Sequence, residues 1–294
     1  MIAELARPLL VAPLGIRFWD AALDRQVRAG LRVRAWESHG RGPRVLAYRT
    51  LSDVYAFRGL PGLVDYEQPA AHATATASPP AVRGYVVEVT DPAERYESIA
   101  FGVDLPLPAP PLLPDALVAP ASPPAPPGGW LLYSTPSRLP APGFAVVRGQ
   151  LLSERTGEPI AHALVEVELT PGERWHGLSS RNGSFAVHLP YPAPPSLLAT
   201  SPPTLPPGGL ADVEWPAVLR VWWSPQTWTE LAGTDLPSYP SLLAQPPADV
   251  YPVHPDDGGA AQSEWTGVLR FGRELVARTE GFSPLLVDDP VTSP

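Results

Sequence analysis

The sequence predicts an all-β protein of two β-sandwich domains joined by proline-rich extended chain. Three observations carry this. A strand–turn–strand–turn–strand pattern occurs twice, clearly over residues 147–190 and more loosely over 16–61, and a repeat of this size marks modules rather than one enzyme core with a cleft. The chain holds 42 prolines; each one inside a helix would remove a donor and clash with the preceding turn at a cost of about 3 kcal/mol, so long helices are ruled out. Finally, 294 residues at 44% apolar content suffice for two cores of ordinary size.

Residues 1–13 form an N-terminal arm, and the first sandwich occupies 14–104. Its strands are expected at 15–20, 31–36, 45–49, 54–57, 84–90 and 98–103. The run Tyr85-Val86-Val87-Glu88-Val89 is β-branched and aromatic, and Asp91-Pro92 closes it as a turn. Residues 68–80 read as a low-complexity loop. From 105 to 143 there are 13 prolines in 39 residues, a density that forbids both helix and central strand. This segment is expected as an extended polyproline linker, with enough apolar residues between the prolines to lie against a surface.

The second sandwich is placed at 144–223, with a proline-rich insertion at 191–209. Val147, Gly149 and Leu151 begin it, and Thr156-Gly157-Glu158-Pro159 turns the chain toward Val165 and Val167. Asn182-Gly183 makes the next turn, because both residues tolerate positive φ, and Phe185 and Val187 then alternate inward. In the run 217–223, Leu219, Val221 and Trp223 share one face, and Val218, Arg220 and Trp222 share the other. Residues 224–294 read as an irregular wrapping segment, with one short helical turn within 238–245. A C-terminal hairpin through Gly272 completes the second domain.

Composition excludes several functions. All 21 basic residues are arginine, and Asn182 is the single asparagine, a usage that fits a GC-rich genome. A net charge of −9 speaks against a protein that coats nucleic acid, since such proteins gain affinity by neutralising phosphates. Without cysteine there is neither a disulfide staple, a thiolate metal site nor a thiol nucleophile. The N-terminal stretch lacks the basic start and apolar run of a signal peptide, and no stretch reaches the length of a membrane span. Cytoplasmic synthesis followed by assembly into a particle is the expectation.

The residues of the second unit, from Val147 and Gly149 through Asn182-Gly183 to Leu189-Pro190, resemble the carboxypeptidase regulatory-like, or transthyretin-like, β-sandwich family. The first unit departs from that pattern, with Ser52-Asp53 where the second has Asn-Gly. The resemblance implies transthyretin-like or immunoglobulin-like sandwiches. Its hydrolase branch needs paired histidines, an arginine and a Tyr-Arg-Gly-Ser tail, and this chain ends Val291-Thr292-Ser293-Pro294. Its carboxypeptidase branch uses His-x-x-Glu, and none of the six histidines has that partner. What remains is a non-catalytic structural or adaptor protein with no cofactor or metal and other protein subunits as partners. In build it is similar to accessory parts of phage-tail-like contractile injection systems, at the baseplate or tail periphery. The alternative is a cell-surface or carbohydrate-binding accessory module.

Candidate contact residues are tryptophans, which combine large area with low entropy cost: Trp222, Trp228 and Trp215 in one segment, and Trp130 in the linker. The cluster His254-Pro255-Asp256-Asp257 reads as a solvated turn rather than a metal site. His188 is expected to point away from Phe185 and Val187 toward the surface. Asn182-Gly183-Ser184 matches a glycosylation acceptor, but the hairpin-turn reading is preferred.

Overall fold

Among the described residues, strands form where β-branched and aromatic residues cluster between turn residues, with only short helical turns besides. The computed structural model describes residues 12–39, 42–67, 81–106, 129–193 and 209–288, and over these the protein is all-β. Most of the N-terminal arm, the 68–80 loop, much of the 105–143 segment and most of the 191–209 insertion lie outside them. Among the described residues no helix is long and apolar enough to cross a membrane.

In the first sandwich, one layer is a four-stranded antiparallel sheet. It runs β5 (Val45–Leu46), β4 (Arg32–Glu37), β8 (Arg83–Thr90), β9 (Ile99–Leu105). The facing layer is built on a strand broken at Arg17 into β1 (Gly15–Ile16) and β2 (Phe18–Asp20). β7 (Tyr55–Ala56) and β6 (Tyr48–Arg49) pair beyond β1, and β3 (Arg25–Gln26) flanks β2. Ile16, Phe18, Phe57, Val33, Val87 and Phe101 fill the space between the layers. A one-turn helix, α1 (Val64–Glu67), hangs below, where the Glu67 carboxylate accepts from Gly59 N at 2.7 Å.

Within the 105–143 segment, the residues from Trp130 to Arg138 belong to the first sandwich. Residues 130–132 form β10 (Trp130–Leu132), parallel to β2 with Trp130 opposite Phe18. Downstream, Thr135 N donates to Arg95 O and Glu97 N donates to Tyr133 O. Arg138 then forks onto Asp20 at 2.6 and 3.1 Å, and Asp20 also accepts from Tyr96 Oη and from the amides of Ala22 and Leu23. Asp20 is 1% exposed. The linker expected over 105–143 does not include these residues: the densest proline run ends at Pro127, and the partner of Arg138, Asp20, lies far back in the chain.

The second sandwich centres on β11 (Phe144–Ser153). Its sheet contains β14 (Ser184–Pro190) on one side. On the other, the parallel β19 (Leu275–Ala277) and β20 (Leu285–Val287) follow one another along β11, and β17 (Val250–Tyr251) lies outside β20. The opposite sheet is β13 (Glu173–Leu178), β12 (Leu164–Thr170), β15 (Glu214–Trp222), then β16 (Pro247–Ala248) and β18 (Trp265–Arg270). Val165, Val167, Phe185, Val187, Leu219 and Val221 are sealed between them. The turn after β11 is closed by Gly157 N donating to Ser153 O, with Gly157 at φ +68°.

Two hairpin expectations change. Asn182-Gly183 does form a tight turn, with Gly183 at φ +78° and Ser180 N bonded to Ser184 O. It joins β13 to β14, however, which belong to opposite sheets, so it is a corner and not a hairpin. Gly272 likewise separates β18, paired to β15, from β19, paired to β11. Local turn chemistry specifies a reversal but leaves open which sheet receives the next strand.

The wrapping segment after β15 crosses back to the first sandwich. α2 (Tyr239–Leu243), the expected short helical turn, inserts Tyr239 and Leu243 into the first core, where Leu164 and Leu178 of the second sandwich also end. The loop leading to it covers the outer face of β4 and β8. Trp36 Nε1 donates to Ala232 O at 2.9 Å, and Thr234 Oγ1 donates to the Glu88 carboxylate at 3.0 Å. With both faces buried, β8 reads as an apolar run rather than an alternation. Nothing in the composition of residues 229–243, hereafter the strap, marks it as contributing to the first core.

Candidate functional site

None of the four tryptophans singled out from the sequence is fully exposed: Trp130 and Trp215 are buried, and Trp222 and Trp228 are half-buried. Trp130 is stacked on Phe101 with centroids 3.6 Å apart and lies 5.7 Å from the tilted ring of Tyr239. Trp215 is a core residue of the second sandwich, tilted against Tyr191. Both are corrections: the layers that bury them are supplied by residues distant in sequence. Trp222 is half-buried against the first core. Trp228 is half-buried as well, its Nε1 donating to Gln245 Oε1 at 2.9 Å. Trp223, just after the end of β15, packs on the second core.

Gln245 ties this region together. Its Oε1 also accepts from Ser224 N, while its Nε2 donates to the carbonyls of His162 and Leu242. The amide is thereby satisfied at both ends while buried, as buried polar groups usually are. His162 is held at φ +57°, its N–H donates to Ser179 O, and its ring meets Trp228 edge-on at 5.7 Å. Burial pushes its imidazole pKa down to about 4.

A cleft of about 420 Å³ opens between His162, the corner at Ser180, Arg181 and Asn182, the strap residue Leu236, and Glu97 and Ser98 at the start of β9. It is formed by both sandwiches and the strap together. The corner is rigid, because Asn182 Oδ1 accepts from Ser180 Oγ and from Ser184 N. Arg181 turns toward Asp235, at 3.4 Å across open surface. Glu97 stands out. Its Oε1 is buried and meets no hydrogen-bond donor, and burial alone pushes its carboxyl pKa up to about 7.

A second polar cluster lies on the outer face of the β13–β12–β15 sheet. Glu166, with no exposed surface, lies 3.1 Å from His176 Nε2 and accepts from Arg220 at 3.0 Å. Arg220 also reaches Glu168 and Glu264. Burial works to raise the Glu166 pKa, but the His176 and Arg220 hydrogen bonds and the Arg174 charge outweigh it and hold the group below its ordinary value. Every carboxylate named here has a partner, so the cluster behaves as a closed ionic clasp.

His188 is not at the surface. It is 3% exposed, because the far face of β14 turns toward the first sandwich, where Asp20 and Arg138 act on it. The alternation rule placed Phe185 and Val187 inward correctly but could not see that the outward face is covered too. Glu97, Arg181 and Ser98 carry no sequence signal as site residues. His162 and Asn182 were visible only as a lone histidine and a turn.

No family model and no curated protein matches the chain. Among solved structures, it is similar to the D295N variant of shaft pilin SpaA from Lactobacillus rhamnosus GG, at 9% identity and a TM-score of 0.25, over 95% of this chain and 99% of that one. A C-terminal fragment of pilus adhesin SpaC from the same organism aligns at 10% identity and a TM-score of 0.21, over 94% and 96%. Superpositions this loose establish neither a shared topology nor a shared activity.

Proposed function

We propose that this protein is a non-catalytic accessory β-sandwich protein whose partner-binding site is the cleft between its two sandwiches. The observation that carries the reading is that the cleft belongs to neither sandwich alone. Glu97 comes from the first, Ser180–Asn182 from the second and Leu236 from the strap, so the protein presents this surface only when both modules are docked. A two-module body with a composite cleft that mixes polar and apolar lining residues suits recognition of another macromolecule.

Of the finer readings, the cell-surface accessory role fits better than a baseplate or tail-peripheral part of a contractile injection system, which no feature of the geometry favours. Carbohydrate recognition, part of the same alternative, would have to use half-buried rings such as Trp222 and Trp228 rather than fully exposed ones. The carboxypeptidase regulatory-like assignment of the second sandwich draws support from the Gly157 turn and the inward Phe185 and Val187, as the resemblance implies. For the domain division, we propose that the first unit extends through residue 143 and is completed by the strap.

A photo-crosslinking residue introduced at Ser98 should capture one discrete partner in the cells that make the protein. The same residue at Leu51, fully exposed on the first sandwich, should not. Equal labelling from the two positions, or none from Ser98, would overturn the proposal.

A further inference from the structure

We infer that the cleft binds a cationic ammonium or guanidinium group, with the Glu97 carboxylate as its counter-ion. The inference rests on the cleft being the partner-binding site and adds the chemistry of what enters it. A buried acceptor without a donor is destabilising unless something supplies the missing hydrogen bond. Glu97 lines the open cleft while its Oε1 is buried without a donor, so a cation in the cleft that draws the carboxylate outward would supply the partner the fold does not. The chain does not supply the donor from its own cleft cation: Arg181 is directed to Asp235, with two thirds of its side chain exposed.

The charges agree. With Glu97 ionised, Glu97 and Asp235 against Arg181 leave one negative charge, and a cation beside Glu97 favours that ionised form; His162 is neutral at physiological pH because burial holds it low. The whole chain carries −9, which draws cations toward it and repels anions. The Ser98 and Ser180 hydroxyls also line the cleft and offer further oxygen acceptors, which an ammonium with three donors or a guanidinium with five can use. At about 420 Å³ the cleft is roomier than a bare ammonium requires and falls within the usual size of ligand pockets. A whole lysine or arginine side chain, or a free diamine, can be accommodated.

The test is calorimetric titration of the full chain, at low salt, with cadaverine, with agmatine, and with capped Gly-Arg-Gly and Gly-Lys-Gly peptides. Capped Gly-Gly-Gly and N-acetyl-aspartate serve as neutral and anionic controls. Saturable binding by at least one cationic probe is expected, weakened at least about tenfold in Glu97→Gln, the loss of one charge-assisted contact. Binding should be unchanged or tighter in Arg181→Ala. Peptides binding better than the free amines would place the group on a protein partner, and the reverse would indicate a small-molecule amine; both outcomes support the inference. The thermal midpoint of Glu97→Gln checks that the variant is folded. Cation binding that is indifferent to Glu97→Gln, absent at millimolar concentration, or exceeded by the anionic control overturns the inference. If crosslinking from Ser98 nevertheless captures a partner, the ligand class is wrong and the site stands; if both fail, both are wrong.

Discussion

Acid should loosen this protein through His188, and the size of the effect follows from its surroundings. Burial is the largest influence on the ring; the Arg138 and Arg148 charges add to it and Asp20 opposes it, so that its pKa falls from 6.5 to about 4. Its Nε2 has no hydrogen-bond partner, so the buried neutral ring gains nothing from that nitrogen. A histidine with a lowered folded-state pKa binds its proton more readily once unfolded. Its contribution is therefore complete above pH 6.5 and is lost as pH falls toward 4. At about 1.4 kcal/mol per unit, the loss between pH 7.5 and pH 5 is about 2 kcal/mol. Urea denaturation of the wild type and of His188→Leu at pH 7.5, 6.5, 5.5 and 5 isolates this term, since other groups titrate equally in both proteins. His162 contributes loss of the same sign, while Glu97, with its raised pKa, contributes the opposite over about pH 4.5 to 7. Both cancel in the difference. A stability gap between the two proteins that stays constant across this range would show that His188 titrates normally in the fold.

Three further perturbations test the packing. Arg138→Met leaves the Asp20 carboxylate buried without its bidentate partner and should cost about 3–5 kcal/mol in urea denaturation; the Asp20→Leu, Arg138→Met double variant should recover part of this, and an additive double variant would argue against the pair. Tyr239→Ala removes a ring that is 1% exposed and donates to Leu131 O at 2.8 Å. A loss of about 3–5 kcal/mol is expected, with earlier proteolysis in the strap, and unchanged proteolysis would mean that the strap is not held by this residue. Gly183→Ala and Gly157→Ala both place a side chain at positive φ, but only at Gly183 would the new Cβ meet backbone, Leu151 O at 2.4 Å. Gly157→Ala should cost about 1 kcal/mol and Gly183→Ala clearly more; equal midpoint shifts by differential scanning fluorimetry would refute the clash.

Local pattern made much of this fold legible. The first-sandwich strands lie where β-branched runs end at turn residues, and the Gly157 turn closes as its chemistry demands. What escaped was everything set by distant pairing. Glu166 meets Arg220 only because β12 aligns with β15 in a particular register, and no short window contains both. Trp130 follows Gly128-Gly129 in sequence, and nothing in that stretch points to its neighbours in space, Phe101 and Tyr239. The candidate site was the least visible part. Glu97 is one carboxylate among many until the corner at Asn182 and the strap close over it.

The order in which the strands are joined also constrains how the molecule can be made. Tyr239 completes the first core, yet it emerges only after β11 to β15, and Val147 in β11 awaits Leu275. During synthesis, which proceeds at about 5–20 residues per second, neither half can settle before the other has largely been translated. The nascent chain therefore carries two unfinished cores at once, with exposed strand edges. A chaperone that shields such edges until the last strands arrive would matter more to yield here than for two modules arranged end to end.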